Sequence, residues 1–149
     1  MIRKIHNIPP EKNKGRCEYK LKLVYKDKDI YKKKLHHIAS QMKYRLFQGN
    51  GKAIFILGVC DNGEVEGITR DELDDSISFL ENASSLIHSN IYKKRIYEGN
   101  NGFIATLRIE WNDNYLKENN IKEVQETFLK NVDEEEKDEN ISLFETSFL

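Results

Sequence analysis

Residues 53–60, Ala-Ile-Phe-Ile-Leu-Gly-Val-Cys, form an unbroken apolar run. A run this apolar must leave water, and its length suits a β-strand rather than a membrane span. Asp61-Asn62-Gly63 follows with the residue types of a positive-φ turn, and Glu64 to Ile68 reads as a second short strand. The pair is expected to form a hairpin.

The flanking segments carry equally readable periods. Residues 18–25 alternate, with Tyr19, Leu21 and Leu23 on one face and Lys20 and Lys22 on the other, the pattern of a half-buried strand. After the Lys26-Asp27-Lys28-Asp29 turn, Tyr31, Leu35, Ile38, Met42 and Leu46 recur at helical spacing, and Gln48-Gly49 would close that helix. Thr69 and Glu72 have the spacing of a capping box. Leu73, Ile77, Leu80, Ser84 and Ile87 carry the core stripe of a second helix, with Asp71, Asp74 and Asp75 near its positive end. Two more strands are expected over about 90–98 and 102–111, joined by Gly99-Asn100-Asn101-Gly102.

The resulting order, βαββαββ, predicts an α+β two-layer sandwich: a mixed sheet of about five strands with two helices on one face, not a doubly wound nucleotide fold. Residues 1–16, with Pro9-Pro10 and the cations Lys4, Lys12, Lys14 and Arg16, lack any period and read as an extended basic arm that orders only on a partner. Residues 17–111 are the α+β domain. Residues 112–149 form a tail: a helix near 119–131 suggested by Ile121, Val124, Phe128 and Leu129, an acidic run from Asp133 to Glu139, and an apolar end with Leu143, Phe144, Phe148 and Leu149. That end either folds back on the domain or enters a partner's groove.

Charge narrows the function. The 149 residues sum to −1, but residues 1–55 hold fifteen basic and four acidic side chains, whereas residues 56–149 hold nine and twenty-one. The basic half suits a polyanionic partner. No apolar run approaches a membrane span or a secretory signal, so a cytoplasmic location and no membrane partner are expected. Cys17 and Cys60 stand 43 residues apart with no CxxC or CxxH company, which argues for reduced, packed thiols rather than a zinc site or disulfide framework.

The richest surface is the first helix, whose outward positions hold Lys32, Lys33, Lys34, His36, His37, Gln41, Lys43, Tyr44 and Arg45. At about 100° per residue, Lys32, His36 and Lys43 fall near one line, and Lys33, His37, Ser40 and Tyr44 form its neighbour. With Lys20 and Lys22 of the first strand and Arg3 and Lys4 of the arm, these ridges make a phosphate-binding surface, and Tyr44 and Arg45 suit stacking on unpaired bases. The bland alternative is a solvated basic helix.

Gln48-Gly49-Asn50-Gly51-Lys52 lacks the spacing of a phosphate-cradling P-loop and precedes a strand, so it is a connector. His36 and His37 diverge on a helix and are not joint metal ligands. Asp61, Glu64, Glu66 and Glu72 could serve a nuclease only by converging on a metal; carboxylates at turns are ordinarily turn formers and caps. No catalytic residue, metal, cofactor, small-molecule substrate or homo-oligomer is expected.

Glu18-Tyr-Lys-Leu-Lys-Leu-Val24, Gln41-Met-Lys-Tyr-Arg-Leu46, Gly49-Asn-Gly51 and Gly58-Val-Cys-Asp-Asn-Gly63 with Gly67-Ile68 resemble the N-terminal domain of the GTP-binding protein 1 family of translational GTPases, over roughly residues 17–110. That family's G domain and β-barrels have no counterpart in these 149 residues, so no GTPase activity is expected. A chain of this length and charge bias also resembles the microsporidian dormancy factors, ribosome hibernation proteins that occupy the tRNA exit (E) site of idle ribosomes. The resemblance implies a factor near the L1 stalk that touches rRNA of both subunits and neighbouring ribosomal proteins. It would block tRNA and silence translation by occupancy alone. Contact with rRNA would then fall to Lys43, Tyr44 and Arg45, with Gln41 and Gln48 beside them.

A second resemblance is shorter. Residues 56–68 are similar to the strand-turn-strand signature of AlbA-like domains of the Schlafen class, some of which cleave RNA with acidic residues. It implies an RNA-binding fold, with ribonuclease action as the alternative function. The Schlafen acidic motif has no match. A third reading is an adaptor that uses the apolar C-terminus.

Overall fold

The computed structural model describes residues 2–119. Along the chain lie β1 (Cys17–Lys20), α1 (Lys28–Gln48), β2 (Lys52–Leu57), α2 (Arg70–Leu86), β3 (Ser89–Glu98), β4 (Phe103–Trp111) and α3 (Asp113–Asn119). The strands make one sheet in the order β1-β2-β4-β3, with β1 parallel to β2 and the remaining pairs antiparallel. The α+β class and the mixed sheet agree with the sequence reading. The count does not: among the described residues the sheet has four strands, not about five, and three helices are present rather than two.

The missing strand is Glu64 to Ile68. The turn forms as its residues require, with Gly63 at φ 92° and its N–H donating to the Cys60 carbonyl at 2.9 Å. Two bonds run back across the turn, the Cys60 N–H donating to the Glu64 carbonyl at 3.0 Å and the Gly67 N–H to the Gly58 carbonyl at 2.8 Å, but the pairing does not extend along β2, both of whose edges are taken by β1 and β4. The Val65 and Glu66 carbonyls accept instead from the β3–β4 loop, from the Asn100 N–H at 2.8 Å and the Asn101 N–H at 2.7 Å. Ile68 makes only an isolated bridge to Phe103.

The helices begin where local chemistry says they should. Asp27 accepts from the Asp29 and Ile30 N–H groups at the start of α1, and Thr69 with Glu72 forms the capping box of α2. Both helices pack on one face of the sheet. There Ile38, Met42 and Leu46 of α1 and Leu73, Phe79, Leu80 and Ala83 of α2 meet Ala53, Phe55, Leu57, Leu107 and Ile109. Phe79 sits between two rings, Tyr25 at 5.3 Å and Tyr31 at 5.0 Å between centroids.

Part of the opposite face is covered as well. Ile54 and Ile56 of β2 point there, with Cys17, Tyr19, Tyr97 and Ile104, and are closed over by Ile5 and Ile8. The N-terminal segment is therefore a packed layer of the protein, which corrects the expectation that it orders only on a partner. Its backbone joins the sheet edge, the Ile5 N–H donating to the Glu98 carbonyl at 2.7 Å, and crosses to the turn, where the Glu11 N–H donates to the Asp61 carbonyl at 2.7 Å. This explains why β2 is apolar at every position after Lys52: neither of its faces meets water.

The alternation read over 18–25 also needs correction. β1 ends at Lys20; Tyr19 is buried beneath the N-terminal segment, Leu21 is 36% exposed, and Leu23 is buried on the helix side. The chain bends at Leu21, and the freed Leu23 N–H donates to Ser76 Oγ at 2.9 Å, which in turn donates to the Glu72 carbonyl. No helix of the described residues is long and apolar enough to cross a membrane. The expected helix at 119–131, apart from its first residue, the acidic run and the apolar end lie outside the described residues.

Candidate nucleic-acid interface

The outward side of α1 is cationic, as its sequence implies. Lys32, Lys33, Lys34, His36, His37, Ser40 and Lys43 are exposed, and Tyr44 is 39% exposed. These side chains share one helix and form a continuous polar surface opposite Ile38, Met42 and Leu46.

The Lys43-Tyr44-Arg45 motif divides. Arg45 is only 3% exposed. Its Nε lies 3.4 Å from Glu18 Oε1, its Nη1 donates to the Asn13 and Gly15 carbonyls at 3.3 and 2.9 Å, and its Nη2 donates to the Lys12 carbonyl at 2.9 Å. Gln48, also 3% exposed, accepts from the Gly15 N–H at 2.8 Å. Tyr44 Oη donates to the Asn13 carbonyl at 2.9 Å, and the Arg45 guanidinium stands 5.5 Å from the Tyr44 ring centroid. These residues clasp segment 12–15 to the end of α1. Arg45 and Gln48 are thus withdrawn from the surface, which corrects their assignment to rRNA contact. The sequence held a sign of this: Arg45 follows Ile38 by seven positions and Met42 by three, the spacing of the core stripe.

Under the clasp lies a cleft of about 370 Å³ lined by Glu11, Glu18, His37, Gln41, Tyr44 and Arg45, among others. Burial, reinforced by the hydrogen bond to Glu18, pushes the Glu11 carboxyl up to about 8, against the opposing pull of the Tyr19 N–H and of Arg45. Gln41 is half-buried, and its Oε1 has no hydrogen-bond partner.

The remaining expected contacts are scattered. Lys20 is half-buried at the end of β1. Lys22 Nζ binds Glu72 Oε2 at 2.7 Å, and that bond, followed by the Thr69 backbone, holds the Glu72 carboxyl below its usual range. Arg3 and Lys4 are exposed, but the backbone there pairs with Glu98 of β3, at the far edge of the sheet from β1. The α1 surface therefore gathers Lys32, Lys33, Lys43 and Tyr44, with Gln41 at its rim, and leaves out Arg3 and Lys4.

Of the carboxylates considered for catalysis, Glu72 is a cap and an ion-pair partner, whereas at Asp61 it is the backbone carbonyl that accepts from the Glu11 N–H. Cys60 Sγ lies 3.8 Å from Glu66 Oε2, and burial with the charges of Glu64, Glu66 and Asp61 pushes that thiol up. Among the described residues no group of three or more His, Cys, Asp or Glu side chains is placed to hold a metal ion.

Sequence reasoning passed over Lys93 and Arg95, which lie in the acidic half of the chain. Strand pairing sets Lys93 beside Arg108 of β4, and Arg108 opposite Ile54 of β2, two residues from Lys52. Period-two alternation puts Lys93 and Arg95 on one face of their strand, but no local pattern tells which strands are neighbours.

Comparison with known proteins finds partial likeness. The chain is similar to GTP-binding protein 2 of Mus musculus and of Homo sapiens, 36% identical to each over 84 residues. The match takes in 56% of this chain and spans only 13% of the length of each relative. No family model matches the chain, and no solved structure matches it.

Proposed function

We propose that the protein is a ribosome hibernation factor of the dormancy-factor kind. It binds idle ribosomes in the cytoplasm at the tRNA exit site near the L1 stalk, contacts rRNA and excludes tRNA, so translation is silenced by occupancy without a chemical step. The observation that carries this reading is the exposed cationic surface of α1, with Lys32, Lys33 and Lys43 spaced along one helix and Tyr44 beside them. Each phosphate contact makes binding depend on salt by roughly 0.7 to 0.9 log units of affinity per log unit of salt. The partial likeness to GTP-binding protein 2 supports a translation-related role.

Co-sedimentation with vacant ribosomes tests the proposal. Binding is expected at low salt and lost at high salt. A Lys32→Ala/Lys33→Ala/Lys43→Ala variant, which keeps the Arg45 clasp and therefore the fold, is expected to stay in the supernatant. Undiminished sedimentation of that variant would remove α1 from the interface.

A further inference from the structure

Among the described residues, the helix-free face of the sheet is covered along only part of its length. Ile5 and Ile8 close it where Tyr97, Ile104 and Ile56 lie. Toward the other end, where β2 and β3 begin and β4 finishes, the same face carries Lys52 and Arg108, with Lys93 and Arg95 on β3. The face assignment follows from register: Lys52 is two residues from Ile54, Ile54 pairs with Arg108, Arg108 pairs with Lys93, and Arg95 pairs with Thr106. Lys52, Lys93 and Arg95 are exposed, and Arg108 is half-buried.

An aromatic ring stands among these cations. The β3–β4 pairing shifts register between Ile91 and Lys93, so Tyr92 is the extra residue of a bulge. The bulge turns Tyr92 onto the same face, where its ring, 43% exposed, lies 5.6 Å from Lys52 Nζ. The ring thus shares its face with the cations Lys52, Lys93, Arg95 and Arg108 and one acid, Glu110.

We propose that this cationic half-face is a binding site for single-stranded RNA, with phosphates held by Lys52, Lys93, Arg95 and Arg108 and one base stacked on Tyr92. An open sheet face that presents an exposed ring admits an unpaired base stacked face-on, whereas a duplex hides its bases and offers only its backbone. The site uses none of the α1 residues and stands independently of the hibernation reading. It would give the protein two RNA-facing surfaces on opposite sides of the sheet.

Fluorescence anisotropy of the full chain with a labelled uridine-rich 12-nucleotide RNA tests it. Binding is expected, with Tyr92→Ala weakening it about tenfold and Tyr92→Phe leaving it unchanged, because stacking needs the ring and not the hydroxyl. Lys93→Ala/Arg95→Ala is expected to lower the salt slope by about 0.7 per cation removed. The Lys32→Ala/Lys33→Ala/Lys43→Ala variant should bind the oligonucleotide as the parent does, which separates this site from the α1 surface. Lack of oligonucleotide binding at low salt would overturn the proposal. So would equal affinity for a 12-base-pair duplex, or a polyglutamate peptide bound as tightly and indifferent to Tyr92→Ala, which would mark the face as a dock for an acidic protein segment. Tyr92 and Lys93 are exposed on an edge strand, so circular dichroism should show each variant folded as the parent.

Discussion

Arg45 and Glu18 meet at 3.4 Å beneath residues 12–15, and this pair joins three parts of the protein: the end of α1, the start of the sheet and the N-terminal segment. The side chains are 4% and 7% exposed, so neither charge has water to fall back on. The guanidinium also binds three backbone carbonyls, which lets one side chain fix a stretch with no periodic structure of its own.

Arg45→Ala is expected to destabilise the protein by about 3–5 kcal/mol in urea denaturation, because Glu18 is left as an uncompensated buried charge. Limited proteolysis should then cut within residues 2–16. Lys43→Ala, two positions away and exposed, should stay within about 0.5 kcal/mol of the parent. Equal effects of the two substitutions would mean that the clasp does not form.

Glu11 gives the clasp a pH dependence. In the unfolded chain its carboxyl ionises near its ordinary 4.5, whereas in the fold it keeps its proton until about 8. Between those values the folded state binds a proton that the unfolded state has lost. The stability contributed by Glu11 is therefore complete below 4.5 and is lost as pH rises through about 8. Glu18, Arg45 and His37 share the cleft. Thermal melts from pH 5 to 9 should show a decline that Glu11→Gln flattens; identical profiles for the two proteins would contradict the protonated carboxyl.

Leucines 21 and 23 separate the two readings of the first strand. A regular alternating strand would bury both on one face. The bend after β1 instead exposes Leu21 and buries Leu23 at 2% exposure. Leu23→Ala should cost about 2–5 kcal/mol and Leu21→Ala less than about 0.5 kcal/mol, measured by chemical denaturation. Similar losses at both positions would restore the straight strand.

Gly67 permits the close crossing of two loops. It sits at φ 88°, and a Cβ there would come 2.4 Å from the Gly102 carbonyl carbon. Gly67→Ala is expected to cost at least about 1–2 kcal/mol from the left-handed backbone alone, with the clash adding to that. A melting temperature equal to the parent's would show that the crossing can open without loss.

What could be read from residue order was whatever neighbouring residues decide among themselves. Thr69 and Glu72 cap α2 whatever surrounds them, Asp27 starts α1, and the apolar run at 53–57 is a strand because nothing else lets it leave water. The two strands around Gly99-Asn100-Asn101-Gly102 formed where their turn placed them. The α1 cations are exposed for the same local reason, lying opposite its apolar stripe.

The tertiary structure decided everything that depends on partners distant in the chain. Glu64 to Ile68 carries a good turn and still makes no strand, because β1 and β4 already occupy the edges of β2. Arg45 looks like a surface cation in composition, yet it is claimed by Glu18 and by carbonyls about thirty residues earlier. Lys52, Tyr92, Lys93, Arg95 and Arg108 became one patch only through sheet register. Caps and periodicities act over a few residues and are written locally, whereas burial, buried charge pairing and strand neighbours are set by which distant segments compete for the same space, and that competition is resolved only when the whole chain packs.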